Sequence, residues 1–342
     1  MVDDRQDAPA PPETHSNSFH WRMLIGPAIV IAGALTLMVF LAYRGSESTR
    51  QETSHIVPAQ PVSAPIEYVP IVESLTPEEL LTQAYGHMRG SDGYEANIEK
   101  ALQLFQRAAQ IGVVEAQTMT GRMYRSGMGT PINLDEAVKW LQSASQQNDA
   151  DAQFTLADMY LNGEGVAKDP AKASSLFLQS AQLGHPKAQT VLGQLYAKGV
   201  GISRDYQEAI RWTQSAAQQG VALAQYNLGW MLYNGLGTPV SHEEAADWFG
   251  RAGAQDHVDA QWTLGMMYLK GQGREQSDER AFSWLHKAAQ AGHTLAQKVV
   301  ADLYLSGRGT EASKVSALNW YRKAAESGNQ EAISMVIKLE SE

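Results

Sequence analysis

The dipeptide Ala-Gln recurs through most of this chain at a constant interval of 36 residues. Its copies are Ala116-Gln117, Ala152-Gln153, Ala188-Gln189, Ala224-Gln225, Ala260-Gln261 and Ala296-Gln297. Two glycines follow each of these alanines in a G-x-G pattern, and a further alanine precedes each of them at a fixed distance. A repeat of this length predicts a solenoid, in which each unit buries its apolar face against its neighbours.

Each unit is predicted to contain two helices. The first begins near Ala-Gln, as in AQTVLGQLYAKG, where Ala188, Leu192 and Leu195 share one helical face. Several of these helices contain a glycine at the same place, such as Gly193, which we expect to let a neighbouring helix approach closely. The G-x-G pair then ends the helix, because glycine readily takes the left-handed conformation after a helical segment.

The second helix of each unit has a recognisable start. Good N-cap residues lie there in six units, namely Asn133, Asp169, Asp205, Ser241, Ser277 and Ser313. In three units a glutamate follows three residues later, and Glu136, Glu208 and Glu244 therefore predict capping boxes. Five units carry a tryptophan at one equivalent position, for which we expect a core role: Trp140, Trp212, Trp248, Trp284 and Trp320.

These motifs resemble the Sel-1-like repeat (SLR) family, a relative of the tetratricopeptide (TPR) repeats. The clearest match is AIRWTQSAAQQG followed by AQYNLGWMLYNGLG. The resemblance implies an all-α fold, a right-handed α-solenoid of about seven helix-turn-helix repeats that serves as a protein-binding adaptor. The expected repeats are about 76–113, 114–149, 150–185, 186–221, 222–257, 258–293 and 294–329, with a capping helix at 330–342.

Composition divides the rest of the chain into three segments. Residues 1–22 are polar and proline-containing, which is typical of a disordered tail. Residues 23–43 contain no charged side chain and would cross the hydrocarbon core of about 30 Å as one helix, so they predict a single transmembrane helix. Residues 44–75 are proline-rich and predict an extended linker before the repeat domain at 76–342.

The orientation of this predicted anchor is not fixed by charge, because two arginines flank each of its sides. Short-tailed single anchors mostly insert with the N-terminus in the cytoplasm. We therefore expect a single-pass protein of the bacterial inner membrane whose C-terminal repeats lie in the periplasm. The reversed anchor, with the repeats facing the cytosol, is the alternative.

The composition excludes several chemistries. The chain has no cysteine, so disulfides and thiolate metal sites are excluded, and its formal charge of −10 argues against a nucleic-acid-binding surface. No catalytic or nucleotide-binding motif occurs, so we expect no enzyme activity and no cofactor. His185, His257 and His293 share one repeat position, where a metal site and a polar turn between helices are the two interpretations.

The predicted partner site lies on the first helices. By analogy with TPR arrays, the positions one before and two, six and nine after each Ala of Ala-Gln should line a concave groove. We expect an exposed aromatic and apolar stretch beside a basic spot: Phe154, Tyr226, Trp230, Tyr233, Trp262, Met266 and Leu269, with Arg122 and Arg125. Such anchors dominate peptide binding, so the sequence predicts a membrane-anchored scaffold for a protein or peptide. An envelope hydrolase or glycan-binding protein is the alternative.

Overall fold

A computed structural model describes residues 75–341, which form fifteen α-helices and contain no strand. The helices are α1 Pro77–Arg89, α2 Ile98–Gln110, α3 Val114–Ser126, α4 Leu134–Gln146, α5 Ala150–Asn162, α6 Pro170–Gln182, α7 Pro186–Lys198, α8 Tyr206–Gln218, α9 Ala222–Asn234, α10 His242–Gly253, α11 Val258–Lys270, α12 Asp278–Gln290, α13 Thr294–Ser306, α14 Lys314–Glu326 and α15 Gln330–Ser341. The prediction of an all-α helical repeat is confirmed.

The helices pack in chain order. Odd-numbered helices α1 to α13 are the first helices of seven repeats, and each makes its most extensive contact with the second helix that follows it. The predictions made for residues 1–22, 23–43 and 44–74 concern segments outside the described residues. Among the helices of residues 75–341, none combines the length and the apolar character that crossing a bilayer requires.

The second helices begin where the sequence predicts. The side chains of Asn133, Asp169, Asp205, Ser241, Ser277 and Ser313 each accept a hydrogen bond from a backbone N–H in the first turn. The three predicted capping boxes are wrong, because the reciprocal bond is not formed there. Glu136 instead pairs with Lys139, and Glu208 pairs with Arg211. The full box does form at the start of α1, between Thr76 and Glu79.

The core residue of each second helix is the one that follows the repeated tryptophan. Residues at this position are almost fully buried in every repeat: Phe105, Leu141, Phe177, Thr213, Phe249, Leu285 and Tyr321. The tryptophans themselves are half-buried and pack against the core from its edge, so the core role expected for them is only partly met. Trp284 lies beside Gly253 of the preceding repeat, and the Lys287 ammonium sits 4.7 Å from its ring centroid. The ring therefore lies at the edge of the repeat interface.

The glycines inside the first helices permit close packing, as predicted. A Cβ added at Gly229 would lie 2.7 Å from the Phe249 ring, and one at Gly265 would lie 2.6 Å from Leu285 Cγ. The two glycines of each G-x-G pair have separate roles. The first ends the helix, as Gly199 does after α7. The second contacts the start of the preceding second helix, where a Cβ on Gly201 would lie 1.9 Å from the Pro170 carbonyl oxygen.

Candidate functional site

Consecutive first helices form one continuous surface, which we call the first-helix face. It consists of the residues one before and two, six and nine after each Ala of the Ala-Gln series. Contacts between neighbouring repeats join these positions: Arg122 binds Asp151 at 2.5 Å, and Lys298 binds Glu331 at 2.9 Å. The positions predicted to line a groove therefore do share one face of the array.

Arg122 and Arg125 do not form the expected basic spot. Arg125 binds both Asp158, at 2.5 Å, and Glu164, at 2.7 Å, while Arg122 is paired with Asp151. Burial alone would raise the pKa of the Asp151 carboxyl, but Arg122 and His185 together hold this pKa below its usual value. Three carboxylates thus neutralise two guanidinium groups, and these arginines tie the first two full repeats together.

Three aromatic residues of the face stack on the histidine that precedes the next first helix. The rings of Phe154 and His185, of Tyr226 and His257, and of Trp262 and His293 have centroids 4.7, 4.5 and 4.9 Å apart with nearly parallel planes. Each histidine is also the N-cap of its helix, since Nδ1 accepts a backbone N–H. The histidines therefore belong to the packing between repeats.

This arrangement favours the polar-turn interpretation of the three histidines. Burial lowers the pKa of His185 and of His293, although Asp151 and Asp259 respectively act in the opposite direction. The neutral imidazole suits an N-cap, because its unprotonated Nδ1 is the hydrogen-bond acceptor. Residues 75–341 contain no group of three or more side chains placed to hold a metal ion.

The expectation that the aromatic residues of this face are exposed is wrong for Tyr226. This tyrosine is only 3% exposed, because its ring lies between His257 and the core residue Phe249. Trp230 and Tyr233 are half-buried on the same helix, and Trp230 donates an indole N–H to the Tyr226 hydroxyl at 2.5 Å. Tyr226 therefore positions Trp230 from beneath.

The apolar part of the face continues across α9, α11 and α13. Trp262, Met266 and Leu269 are half-buried, and Leu295 and Leu305 on the next first helix are 47% and 38% exposed. Leu295 and Leu305 are not among the site residues predicted from the sequence. They could have been found by continuing the same positions, one before and nine after the Ala, into the repeat that begins with α13.

Two surface hollows lie at the end of this apolar stretch. One, of about 370 Å³, is lined by Trp262, Leu295 and Val299, and the other, of about 590 Å³, by Leu305 and Met335 among others. Both include Lys298 and Glu331, so the ion pair between these two side chains separates the hollows. Of the predicted site residues, Trp262 is the one that lines either of these two hollows. The arrangement offers adjacent sites for apolar side chains.

The repeats match a known family. The profile of the Sel1 repeat matches residues 84–113, 114–149, 150–185, 186–221, 222–257, 258–293 and 294–329. No curated protein sequence matches the chain. Among solved structures, it is similar to a Sel1 repeat protein from Oxalobacter formigenes, with 28% identity over 77% of this chain and 76% of that one and a TM-score of 0.64.

A second solved structure is a protective antigen present in uropathogenic Escherichia coli strains and displaying an SLR fold. It shares 29% identity with a TM-score of 0.74, over 77% of this chain. The match spans only 56% of that antigen, so it concerns the repeat array rather than the whole relative. The seven matched repeats cover well over half of the sequence, and the chain belongs to the Sel1 repeat family.

Proposed function

We propose that this chain is a membrane-anchored scaffold that binds a protein or peptide partner on its first-helix face. Sel1 and TPR-like repeat proteins are generally protein-interaction scaffolds and typically have no enzyme activity. The observation that carries the proposal is the apolar stretch across α9, α11 and α13, which ends in the two hollows beside Lys298 and Glu331. Contiguous apolar surface of this kind marks interaction sites on folded proteins.

The partner site is best tested with exposed residues, because their replacement leaves the packing intact. Leu295→Glu combined with Leu305→Glu places two charges in the apolar stretch and should abolish capture of partners by the tagged full-length chain. Leu183 and Val315 are 52% and 72% exposed and lie off the first-helix face. Leu183→Glu combined with Val315→Glu is therefore the matched control and should retain the partners. Equal capture by both double variants would refute this site.

The anchor and its orientation rest on the sequence. Residues 23–43 are uncharged and long enough to span a bilayer, which supports a single-pass membrane protein. The proposed orientation, with the repeats in the periplasm, follows the usual insertion of anchors with a short N-terminal tail. A reporter enzyme that is active only outside the cytoplasm, fused after Glu342, should be active, and a fluorescent protein that matures only in the cytosol should be dark. The opposite pair of results would place the repeats in the cytosol.

A further inference from the structure

The two hollows at the end of the apolar stretch are arranged along one helix. Leu295 lines the smaller hollow and Leu305 the larger one, and these leucines are about 15 Å apart along the axis of α13. Lys298 lies between them in the helix and lines both hollows. A single partner segment that follows α13 would therefore reach both hollows.

Both hollows have room and apolar walls for a large side chain. Their volumes of about 370 and 590 Å³ lie within the range of roughly 300–1,000 Å³ that ligand-binding clefts occupy. Trp262 and Val299 are half-buried and line the smaller hollow with Leu295, while the half-buried Met335 lines the larger one with Leu305. Removing this surface from water favours an apolar side chain in each hollow.

The ridge between the hollows carries more negative than positive charge. The Lys298 ammonium binds two carboxylates, Asp302 at 3.1 Å and Glu331 at 2.9 Å. The hydrogen bond to Glu331 is the main reason why the pKa of Lys298 is above its ordinary value, so this ammonium stays charged. Lys338, the other cation among the lining residues, is about 10 Å beyond Glu331 along the axis of α15. The ridge itself thus has one positive charge against two negative ones.

Of the two carboxylates, Glu331 is the one open to a partner. Asp302 accepts a hydrogen bond from the Tyr321 hydroxyl at 2.6 Å in addition to its pairing with Lys298. The Glu331 side chain is 76% exposed, and within residues 75–341 its ion pair is with Lys298 alone. Glu331 also lines both hollows. A cation that pairs with Glu331 would therefore lie between the two hollows.

We propose that the two hollows bind one partner segment in which a Lys or Arg lies between two large apolar side chains. The apolar side chains enter the two hollows, and the cation pairs with Glu331. This rests on the proposed function, since it names the chemistry of the partner at the same site. The cation selects among apolar segments, because complementary charges at an interface contribute to specificity and rate of association more than to affinity.

A random peptide-display library selected on the full-length chain in mild detergent tests this inference. Enriched peptides should carry Lys or Arg between two large apolar residues. A synthetic copy of the best peptide should bind Glu331→Lys about tenfold more weakly, because an exposed charge pair is lost and a like charge replaces it. Glu326→Lys makes the same charge change at an exposed position of α14 outside both hollows, and it should bind as the unmodified chain does.

A charge swap separates the pairing from a folding defect. A peptide whose basic residue is replaced by Glu should regain affinity for Glu331→Lys, which a misfolded chain could not provide. Enriched peptides without a basic residue, or equal affinity for Glu331→Lys and Glu326→Lys, would overturn this inference. If those peptides still lost binding with Leu295→Glu/Leu305→Glu, the proposed function would stand. A library that yields no enriched peptide would overturn both.

Discussion

Gln219 donates a hydrogen bond from Nε2 to Oε1 of Gln189, 2.7 Å away. Gln189 is the glutamine of an Ala-Gln pair, and its own Nε2 donates to the carbonyl oxygen of Ala181 at the end of α6. One buried amide therefore ties the ends of two consecutive second helices, α6 and α8. The same double link is made by Gln117 with Gln147 and by Gln225 with Gln255.

Three repeats lack the second half of this link, which gives the first prediction. Oε1 of Gln153 is buried without a partner among residues 75–341, and the position thirty residues later holds Leu183 rather than Gln. Leu183→Gln should complete the link and stabilise the α5–α6 repeat by about 1 kcal/mol. Slower amide hydrogen exchange in α5 and α6 would show this.

Two further variants control for other effects of this change. Leu183→Ala removes the same exposed leucine without adding an amide and should not slow the exchange. Gln219→Leu makes the reverse change and leaves Gln189 Oε1 unpaired, which should cost about 1–3 kcal/mol. Equal exchange rates in Leu183→Gln and Leu183→Ala would show that the amide link contributes nothing.

The second prediction compares two adjacent residues of α10. Phe249 is fully buried against Gly229 and Tyr226, whereas Trp248 is half-buried with the Arg251 guanidinium 4.3 Å from its ring centroid. Phe249→Ala should therefore cost about 3–5 kcal/mol, as for a buried aromatic residue. Trp248→Ala should cost less, because its ring is already partly in contact with water.

Local hydrogen exchange in α9 and α10 measures both costs, since the stability of a solenoid is distributed over its repeats. If Trp248→Ala lowers the local stability as much as Phe249→Ala or more, the tryptophans contribute to the core as much as the residues that follow them. The same comparison extends to Trp212 and Trp284, which are half-buried at the equivalent position.

This difference shows how far the sequence alone can determine the fold. The spacing of Ala-Gln and G-x-G predicts the helices and their order, because caps and helix-ending glycines act within a few residues. The tryptophans are misleading because their regular spacing reports one face of a helix but not how deeply that face is buried. The core position one residue later varies between Phe, Leu, Thr and Tyr, which conceals it in the sequence.

The candidate site is predicted less completely, for a similar reason. The first-helix face follows from the register, since positions on one helix are fixed by its periodicity. Its electrostatics depend on which side chains of adjacent repeats meet. Arg125 pairs with Asp158 and Glu164, which lie 33 and 39 residues later in the sequence. These contacts depend on how neighbouring repeats stack on each other, which the sequence alone does not give.

The third prediction concerns the second glycine of a G-x-G pair. Gly201 has φ of +70°, and a Cβ there would lie 1.9 Å from the Pro170 carbonyl oxygen, which belongs to a backbone that cannot move aside cheaply. Gly184 has φ of +90° with nothing within 4 Å of its Cβ position, so it shares the left-handed strain but not the clash. In both alanine variants the left-handed backbone conformation destabilises the fold by about 1 kcal/mol.

Gly201→Ala should therefore be clearly more destabilising than Gly184→Ala, because it also forces α6 and the G-x-G turn apart. The melting temperatures of the two variants, measured by circular dichroism at 222 nm, provide the comparison. Equal melting temperatures would show that the second glycine is needed only for its backbone conformation and not for contact between repeats.

The last prediction concerns pH and the three N-cap histidines. The pKa of His185, of His257 and of His293 is lowered mainly by burial, from an ordinary value of 6.5. Asp151 faces His185 and Asp259 faces the other two, and these carboxylates raise the pKa, while Arg122 and Lys187 lower that of His185 further. In each case the effect of burial prevails.

A lowered pKa in the folded state means that the unfolded chain binds protons more readily. The stability contributed by the neutral caps is therefore fully present above about pH 6.5, the unfolded value, and is lost as the pH falls through the lower folded values. Replacing all three histidines by Asn keeps a capping side chain, as Asn329 does naturally at the same repeat position. Between pH 7.5 and pH 5.5, the melting temperature of the unmodified chain should fall further than that of this triple variant. Parallel losses would show that the histidines are protonated equally in both states and that the fall in stability comes from other groups.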